Sequence, residues 1–284
     1  MPAPRISIVT PSFRASSWLK LCIASVADQG VAAEHIVQDA GSDDGTLDWL
    51  GSDARVRAFV EKDAGMYDAV NRGLHKSSGE IVAYLNCDEQ YLPGALRAVL
   101  DFFDRHPRTD VLFADCLVVD SNGDCICYRK VEMPSKYHVM VSHLPTFTSS
   151  MFFRRKLLER GFFFDTQWRD LGDADWVLRV MGAGARLDIL RHFVSAFTDT
   201  GANMNLSPNA GREKKKMFDS APKWAQWLQP ALVARHRVRR WMHGAYRQGP
   251  LDYAIYTRQS PEARVTRRVE RPTFMWKSRL SWAS

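Results

Sequence analysis

The chain has 284 residues, 45% hydrophobic and 25% charged, with a formal net charge of +7, enough apolar material for one large domain or a domain with an appendage. The charge is uneven: residues 212–284 hold 17 Lys and Arg against 5 Asp and Glu, while the remainder holds 22 against 27, so the tail suits an anionic surface. Five scattered cysteines, with no run of 18 apolar residues and no signal-peptide core, argue against a disulfide framework, a spanning helix and an export signal, and point to a cytoplasmic location.

Arg5 to Thr10 (RISIVT) is a buried first strand, broken at Pro11-Ser12-Phe13-Arg14. Trp18 to Ala27 predicts an amphipathic helix capped by Ser16 or Ser17. His35 to Gln38 is a second strand ending at Asp39, and the small-residue turn after it leads into a helix over Leu47 to Leu50. Val56 to Val60 is a third strand. Such β–α units in series predict a parallel sheet with right-handed crossovers. Met66 to His75 has helical spacing and stops at Ser77-Ser78-Gly79, where Gly79 supplies a left-handed cap. Glu80 to Leu85 is another buried strand, and it runs into Asn86-Cys87-Asp88-Glu89. A carboxylate-bearing turn at the carboxyl end of a buried strand is where open α/β sheets bind ligands, and hard oxygen donors there suit a divalent cation holding phosphates. The competing reading is a solvated acidic turn.

Pro93 opens a helix through Phe103, and Asp110 to Asp120 is a strand. Asn122-Gly123 is a hairpin signal, with Cys125 to Val131 as the returning strand, so the second half belongs to a mixed sheet. Cys125 and Cys127, two apart on that strand, read as packing residues. Lys136 to Ser150 is loop or short helix and contains His143, a lone loop histidine read as structural. A strand over Ser150 to Phe153 precedes a helix over Asp173 to Met181, whose first turn carries Asp173 and Asp175 where the macrodipole favours carboxylates. Arg186 to Leu190 and Phe193 to Phe197 are two later strands.

Three stretches together resemble the family 2 glycosyltransferases: ISIVTPSFR (Ile6–Arg14) with VQDAGSDDGT (Val37–Thr46), KDAGMYDAVNRG…GEIVAYLNCDE (Lys62–Glu89), and FFRR (Phe152–Arg155) with GDADWVLRV (Gly172–Val180). The resemblance covers about residues 5 to 200. It implies a GT-A fold over residues 1–210, a mixed, mainly parallel α/β sheet flanked by helices. It also implies an inverting enzyme that moves a sugar from a nucleotide-diphosphate donor to a hydroxyl of a glycan or lipid-linked acceptor in surface polysaccharide or glycolipid synthesis. On this resemblance Pro11, Phe13 and Asp39 hold the base and ribose, Asp63, Asp68 and Asn71 lie near the donor, and Asn86 and Asp88 follow. Asp88 stands at the metal-contacting position for Mn²⁺ or Mg²⁺, although Asn86-Cys87-Asp88-Glu89 replaces the usual Asp-x-Asp. Asp173 matches the family's catalytic base, with Asp175 the runner-up. Simpler roles compete at several of these positions: a core position for Phe13, an i,i+4 pair with Arg72 for Asp68, and helix capping for Asp173 and Asp175. The altered metal motif keeps open an inactive sugar-nucleotide-binding protein. A nucleotidylyltransferase is disfavoured by the Pro-Ser-Phe-Arg loop, which lacks the Gly-rich triphosphate cradle.

Residues 211–284 predict a basic helical extension. Trp224, Trp227, Leu228, Leu232 and Val233 alternate with cations up to Arg240-Trp241-Met242. That composition suits the cytoplasmic face of an anionic membrane, or equally a contact with the sheet or a second subunit. No recognised nucleic-acid module stands behind it.

Overall fold

The computed structural model describes residues 4–201 and 208–276; Met1 to Ala3, residues 202–207 beside the expected domain boundary, and residues 277–284 of the tail lie outside the described residues. The first half alternates as the sequence predicts: β1 (Ile6–Ser12), α1 (Ser16–Ala27), β2 (Ala33–Asp39), α2 (Leu47–Leu50), β3 (Arg57–Val60), α3 (Met66–Lys76) and β4 (Ile81–Tyr84). β1 lies between β2 and β4, parallel to both, and β3 extends the sheet beyond β2. Both faces of β1 and β4 are covered, which is why these strands read as apolar runs without alternation.

The second half is β5 (Gln90–Tyr91), α4 (Ala95–Arg105), β6 (Val111–Val119), β7 (Cys125–Arg129), α5 (Lys136–Val141), a 3₁₀ turn at Thr148–Ser150, β8 (Met151–Arg154), α6 (Lys156–Glu159), α7 (Gly172–Gly182) and β9 (Leu187–Thr198). The strand order is β3-β2-β1-β4-β8-β6-β9-β5, with β7 paired to the far half of β6. β8 is antiparallel to β4 and β6, whereas the long β6–β9 ladder is parallel. This is the mixed, mainly parallel sheet expected. One face packs on α1 and α4 through Cys22, Val26, Leu96 and Val99. The other packs on α3 and α7 through Tyr67, Val70, Trp176 and Val180. The turn at Asn122-Gly123 joins β6 to β7 with Gly123 at φ 85°, and Cys22, Cys87, Cys116 and Cys125 carry free thiols.

Local expectations fail where a distant group supplies what a neighbour was expected to. No serine caps α1; Asp44, from the loop after β2, accepts the Ser16 N–H at 3.0 Å. Gly79 is not left-handed. It is glycine because a Cβ there would lie 2.6 Å from the Ser7 backbone nitrogen. Pro93 precedes rather than opens its helix, since Gly94 at φ 74° is the N-cap of α4. The two strands expected after residue 186 are one, β9, whose register against β6 slips around Asp115. Arg191 occupies the slip, bonding the Asp115 carboxylate at 3.1 Å and the Val131 carbonyl at 2.5 Å.

The expected all-helical extension is corrected. α8 (Pro208–Asp219), α9 (Lys223–Trp227) and α10 (Gln229–Met242) are helical, but β10 (Leu251–Thr257) and β11 (Ser260–Val269) then form an antiparallel hairpin. Tyr253 and Ile255 on β10 bury against Leu117 and Val119 of β6. The Gln90 side-chain amide donates to the Tyr256 carbonyl and accepts its N–H, both at 2.9 Å. The period-2 pattern of Leu251, Tyr253 and Ile255 is a strand signal, and long-range burial on the sheet made it decisive.

Candidate active site

The carboxyl ends of β1, β2 and β4 open into a cleft of ≈ 1390 Å³. Pro11 and Phe13 line it at the end of β1, and Phe13 is 53% exposed, which makes it an open stacking face rather than a core residue. The loop carrying Phe13 is held from behind. The Arg14 N–H donates to Ser42 Oγ at 2.8 Å, and the Arg14 guanidinium pairs with Asp43 at 2.6 Å while lying over the Phe13 ring.

Asp39 is fully buried and does not line the cleft. Its carboxylate accepts the Gly41 and Ser42 N–H groups at 2.9 and 2.7 Å and the Ser42 hydroxyl at 2.8 Å. In this structure it organises the loop that buttresses Phe13, and its neighbour Ala40 faces the cleft. Two other expected donor residues also lie off the cleft. Asp68 accepts the Ala64 N–H at 3.0 Å and pairs with Arg72 at 3.0 Å, the i,i+4 role. Asn71 grips one backbone unit with both ends of its amide, donating to the Phe164 carbonyl at 2.7 Å and accepting the Phe164 N–H at 2.9 Å. Phe164 in turn stacks on Tyr67 and Trp176. Asp63 does line the cleft, and burial raises its carboxyl even as it accepts the Gly65 N–H.

Beyond β4, Asn86 and Asp88 line the cleft as expected. The turn is built by groups on either side of it. Glu89, which does not face the cleft, accepts the Asn86 N–H at 2.9 Å, and Thr198 of β9 donates its hydroxyl to the Asp88 carbonyl at 2.5 Å. Burial raises the carboxyls of both Asp88 and Glu89. Asn86 Oδ1 is buried with no hydrogen-bond partner. A cluster with a desolvated carboxylate and an unsatisfied amide oxygen is a fit for a hard divalent cation, which would supply the missing partner.

Asp173 lines the same cleft at the first turn of α7. Burial pushes its carboxyl up to about 6, partly offset by hydrogen bonds from backbone N–H groups and Tyr67. The helix start is pressed flush against Tyr67: the Asp173 N–H donates to the Tyr67 hydroxyl at 3.1 Å, and a Cβ on Gly172 would lie 2.6 Å from the Tyr67 ring. Asp175 points away and pairs with Arg179 at 2.7 Å, so the runner-up base is outside the cleft.

Sequence reading missed Glu213. Its buried carboxylate, on α8, accepts the N–H groups of Arg169, Asp170 and Leu171 at 2.8, 2.9 and 2.9 Å, which fixes the segment leading into Asp173. Nothing in a KKK-rich helix marks one glutamate as a loop anchor forty residues away. Glu213→Ala leaves those buried donors without an acceptor, at roughly 1–3 kcal/mol for such a group. The expected result is a Tm lower by several degrees, at about 2–4 °C per kcal/mol, with kcat falling more than donor KM changes. Glu213→Gln, which keeps one acceptor oxygen, should recover part of both in calorimetry and steady-state assays. The basic tail also contributes Lys214 and Lys215 to the cleft wall, beside Lys62 and Arg129, so part of its charge faces inward.

A family model described as glycosyl transferase family 2 matches residues 7–162. A PGL/p-HBAD biosynthesis glycosyltransferase of Mycobacterium bovis is 31% identical over 129 residues, 43% of this chain and 50% of that protein. The chain thus spans about half the length of that curated relative. Among solved structures, residues 1–349 of Staphylococcus aureus TarS in complex with UDP superpose with a TM-score of 0.58 at 16% identity, covering 84% of this chain and 72% of that one. A Pyrobaculum calidifontis mannosyltransferase in complex with GDP-Man and Mn²⁺ gives 0.54 at 16%, covering 83% and 76%. At such identity the two structures speak to the fold.

Proposed function

The chain belongs to glycosyltransferase family 2, and from that premise we propose that it is an inverting hexosyltransferase using a nucleotide-diphosphate sugar. The acceptor is a hydroxyl of a glycan or lipid-linked glycan. The observation that carries this reading is that Asp88 and Asp173, 85 positions apart in the chain, line one cleft whose mouth holds an open aromatic face.

Each part of the cleft has a task. Phe13 stacks the donor base while Pro11 and Ala40 shape its slot. Asp88 and Asn86 Oδ1 would hold a divalent cation, Mn²⁺ or Mg²⁺, which when bound neutralises the charge gathering on the leaving diphosphate. Lys62 and Arg14 add positive potential at the same rim. Asp173 takes the proton from the acceptor hydroxyl as its oxygen bonds to the anomeric carbon. The bond from that carbon to the diphosphate oxygen breaks on the opposite face, so the configuration inverts. A carboxyl raised to about 6 is a stronger base than an ordinary aspartate yet still ionised at neutral pH, which is what general-base catalysis requires.

The test is turnover and thermal shift with a panel of UDP-, GDP- and dTDP-sugars, with and without Mn²⁺. Stabilisation by one nucleotide class identifies the donor, since ligand binding raises Tm by mass action. NMR of the product linkage should show the anomeric configuration opposite to that of the donor; retention would overturn the single-displacement reading.

A membrane surface is the reading of the tail that the exposed side chains favour. Val238, Trp241 and Met242 stand exposed at i, i+3 and i+4 on α10, with Arg235 and Arg237 exposed on the preceding turn, and Trp227 stands exposed on α9. Among the described residues no helix is long and apolar enough to cross a membrane, so this stripe would lie in the interface plane. Sedimentation with anionic vesicles should carry the protein down, less so at high salt. Trp227→Ala with Trp241→Ala should abolish that binding while leaving turnover of a water-soluble acceptor intact. Concentration-dependent dimerisation without vesicle binding would assign the stripe to a second copy instead.

A further inference from the structure

Outside the donor site, three histidines converge behind the cleft wall. His138 lies on α5, His236 on α10, and His143 on the loop after α5, where it reaches both the cleft and a small recess beside it. One ligating nitrogen from each lies within 4.8 Å of the others. The His138 and His236 rings stack at 4.1 Å, and the edge of His143 meets His138 at 4.9 Å.

The hydrogen bonding around these rings is incomplete in a particular way. His138 is 1% exposed and His236 6%, yet neither ring nitrogen of His138 makes a well-formed hydrogen bond, and His236 Nε2 has none. Buried polar atoms are almost always satisfied; the Leu232 backbone is within reach of one His138 nitrogen, which leaves the other and His236 Nε2 to take a partner that the protein does not supply. His143 shows the complementary feature: its Nδ1 is bonded to Ser142 Oγ at 2.9 Å, the kind of outer contact that orients a ligating histidine and leaves Nε2 free.

We propose that His138, His143 and His236 form a second metal site, for a borderline cation of the Zn²⁺ class, which ties α10 to the cleft wall. All three donors are imidazole nitrogens. Such a set suits Zn²⁺, Ni²⁺ or Cu²⁺ and not the oxygen-seeking Mg²⁺ or Mn²⁺ of a carboxylate site. Burial holds His138 and His236 neutral, with His236 pushed down to about 3, so neither need lose a proton before it ligates. The nearby cations Arg129, Arg239 and Arg240 oppose any dication at the cluster, so it is the all-imidazole donor set that selects the Zn²⁺ class. Glu132, buried between Arg239 and His243 at 2.8 Å from each, offsets part of that charge. Zn–N bonds of about 2.0–2.1 Å require the rings to draw closer than they stand. A bound ion would therefore couple the position of α10 to the loop of His143, and through it to the cleft.

The experiment uses the full chain, stripped with EDTA and titrated with Zn²⁺ alone against a chromophoric chelator. Stoichiometric binding is expected, with a Zn²⁺-dependent rise in Tm; Co²⁺ should give the ligand-field absorption of a four-coordinate nitrogen site. Loss of a ligand should exceed the effect of losing an outer contact, about 10–100-fold, so His143→Ala and His236→Ala should each weaken Zn²⁺ by more than about 100-fold. His143 is exposed, so His143→Ala should keep the parent's circular dichroism in EDTA even if His236→Ala misfolds. Asp88→Asn should leave Zn²⁺ binding intact, which makes the result independent of the donor-site reading. Absence of stoichiometric binding by the parent, or binding that His143→Ala leaves unaltered, would overturn the proposal.

Discussion

Asp173→Asn is expected to lower kcat/KM by about 10²–10⁴-fold, the usual worth of a general base, while leaving Tm at pH 7.5 unchanged or higher. The two halves of this result have one cause. Burial raises the Asp173 carboxyl from 3.8 to about 6, so the folded protein holds that proton more tightly than the unfolded chain does. Stability from this group is therefore present below pH 3.8 and lost as pH rises through about 6. Asparagine fills the same space and never bears the charge, so it escapes that loss. The parent's rate should fall about tenfold per pH unit below about 6, as the base becomes protonated. Steady-state rates and calorimetry across pH 5 to 8 check both, and an Asn variant with unaltered turnover would remove Asp173 from the mechanism. Gly172→Ala should reach part of the same loss by another route, because its methyl would push α7 off Tyr67.

Asp88→Ala is expected to cost about 10³-fold or more in turnover, since charge stabilisation by a bound cation is worth several kcal/mol. The loss should not be recovered by raising Mn²⁺. Mn²⁺ should also cease to enhance the Tm shift caused by the nucleoside diphosphate, while the shift from nucleotide alone persists through Phe13. Removing Asp88 should not unfold the protein. Its carboxyl is raised by burial, so its charge opposes stability, and the turn is held by the Asp88 carbonyl and by Glu89. Asn86→Ala should show a milder form of the same defect. Full Mn²⁺-dependent turnover in Asp88→Ala would place the cation elsewhere.

The legible parts of the site were those at strand ends. Asp88 and Phe13 directly follow apolar runs, and the run's direction sets which edge of the sheet they reach. Asp173 was picked out by the resemblance of GDADW, since an aspartate that opens a helix reads locally as a cap. Asp39, Asp68 and Asn71 were placed near the donor by the resemblance, yet their side chains turn to backbone groups behind the cleft. A short polar side chain near a turn has both options, and only the neighbouring backbone decides between them.

Local sequence was sufficient for the β–α alternation, the hairpin at Asn122-Gly123 and the carboxylate-bearing turn after β4, because each is set by residues within a few positions: side-chain period, turn chemistry and strand end. Tertiary structure alone decided that Glu213 holds the approach to Asp173, that β10 pairs into a hairpin packed on β6, and that a loop histidine read as solitary sits beside His138 and His236. Those outcomes depend on which acceptor, face or ring is met across tens to hundreds of residues. A buried polar atom takes its partner from whatever the fold brings to it, and the chain near that atom carries no record of the choice.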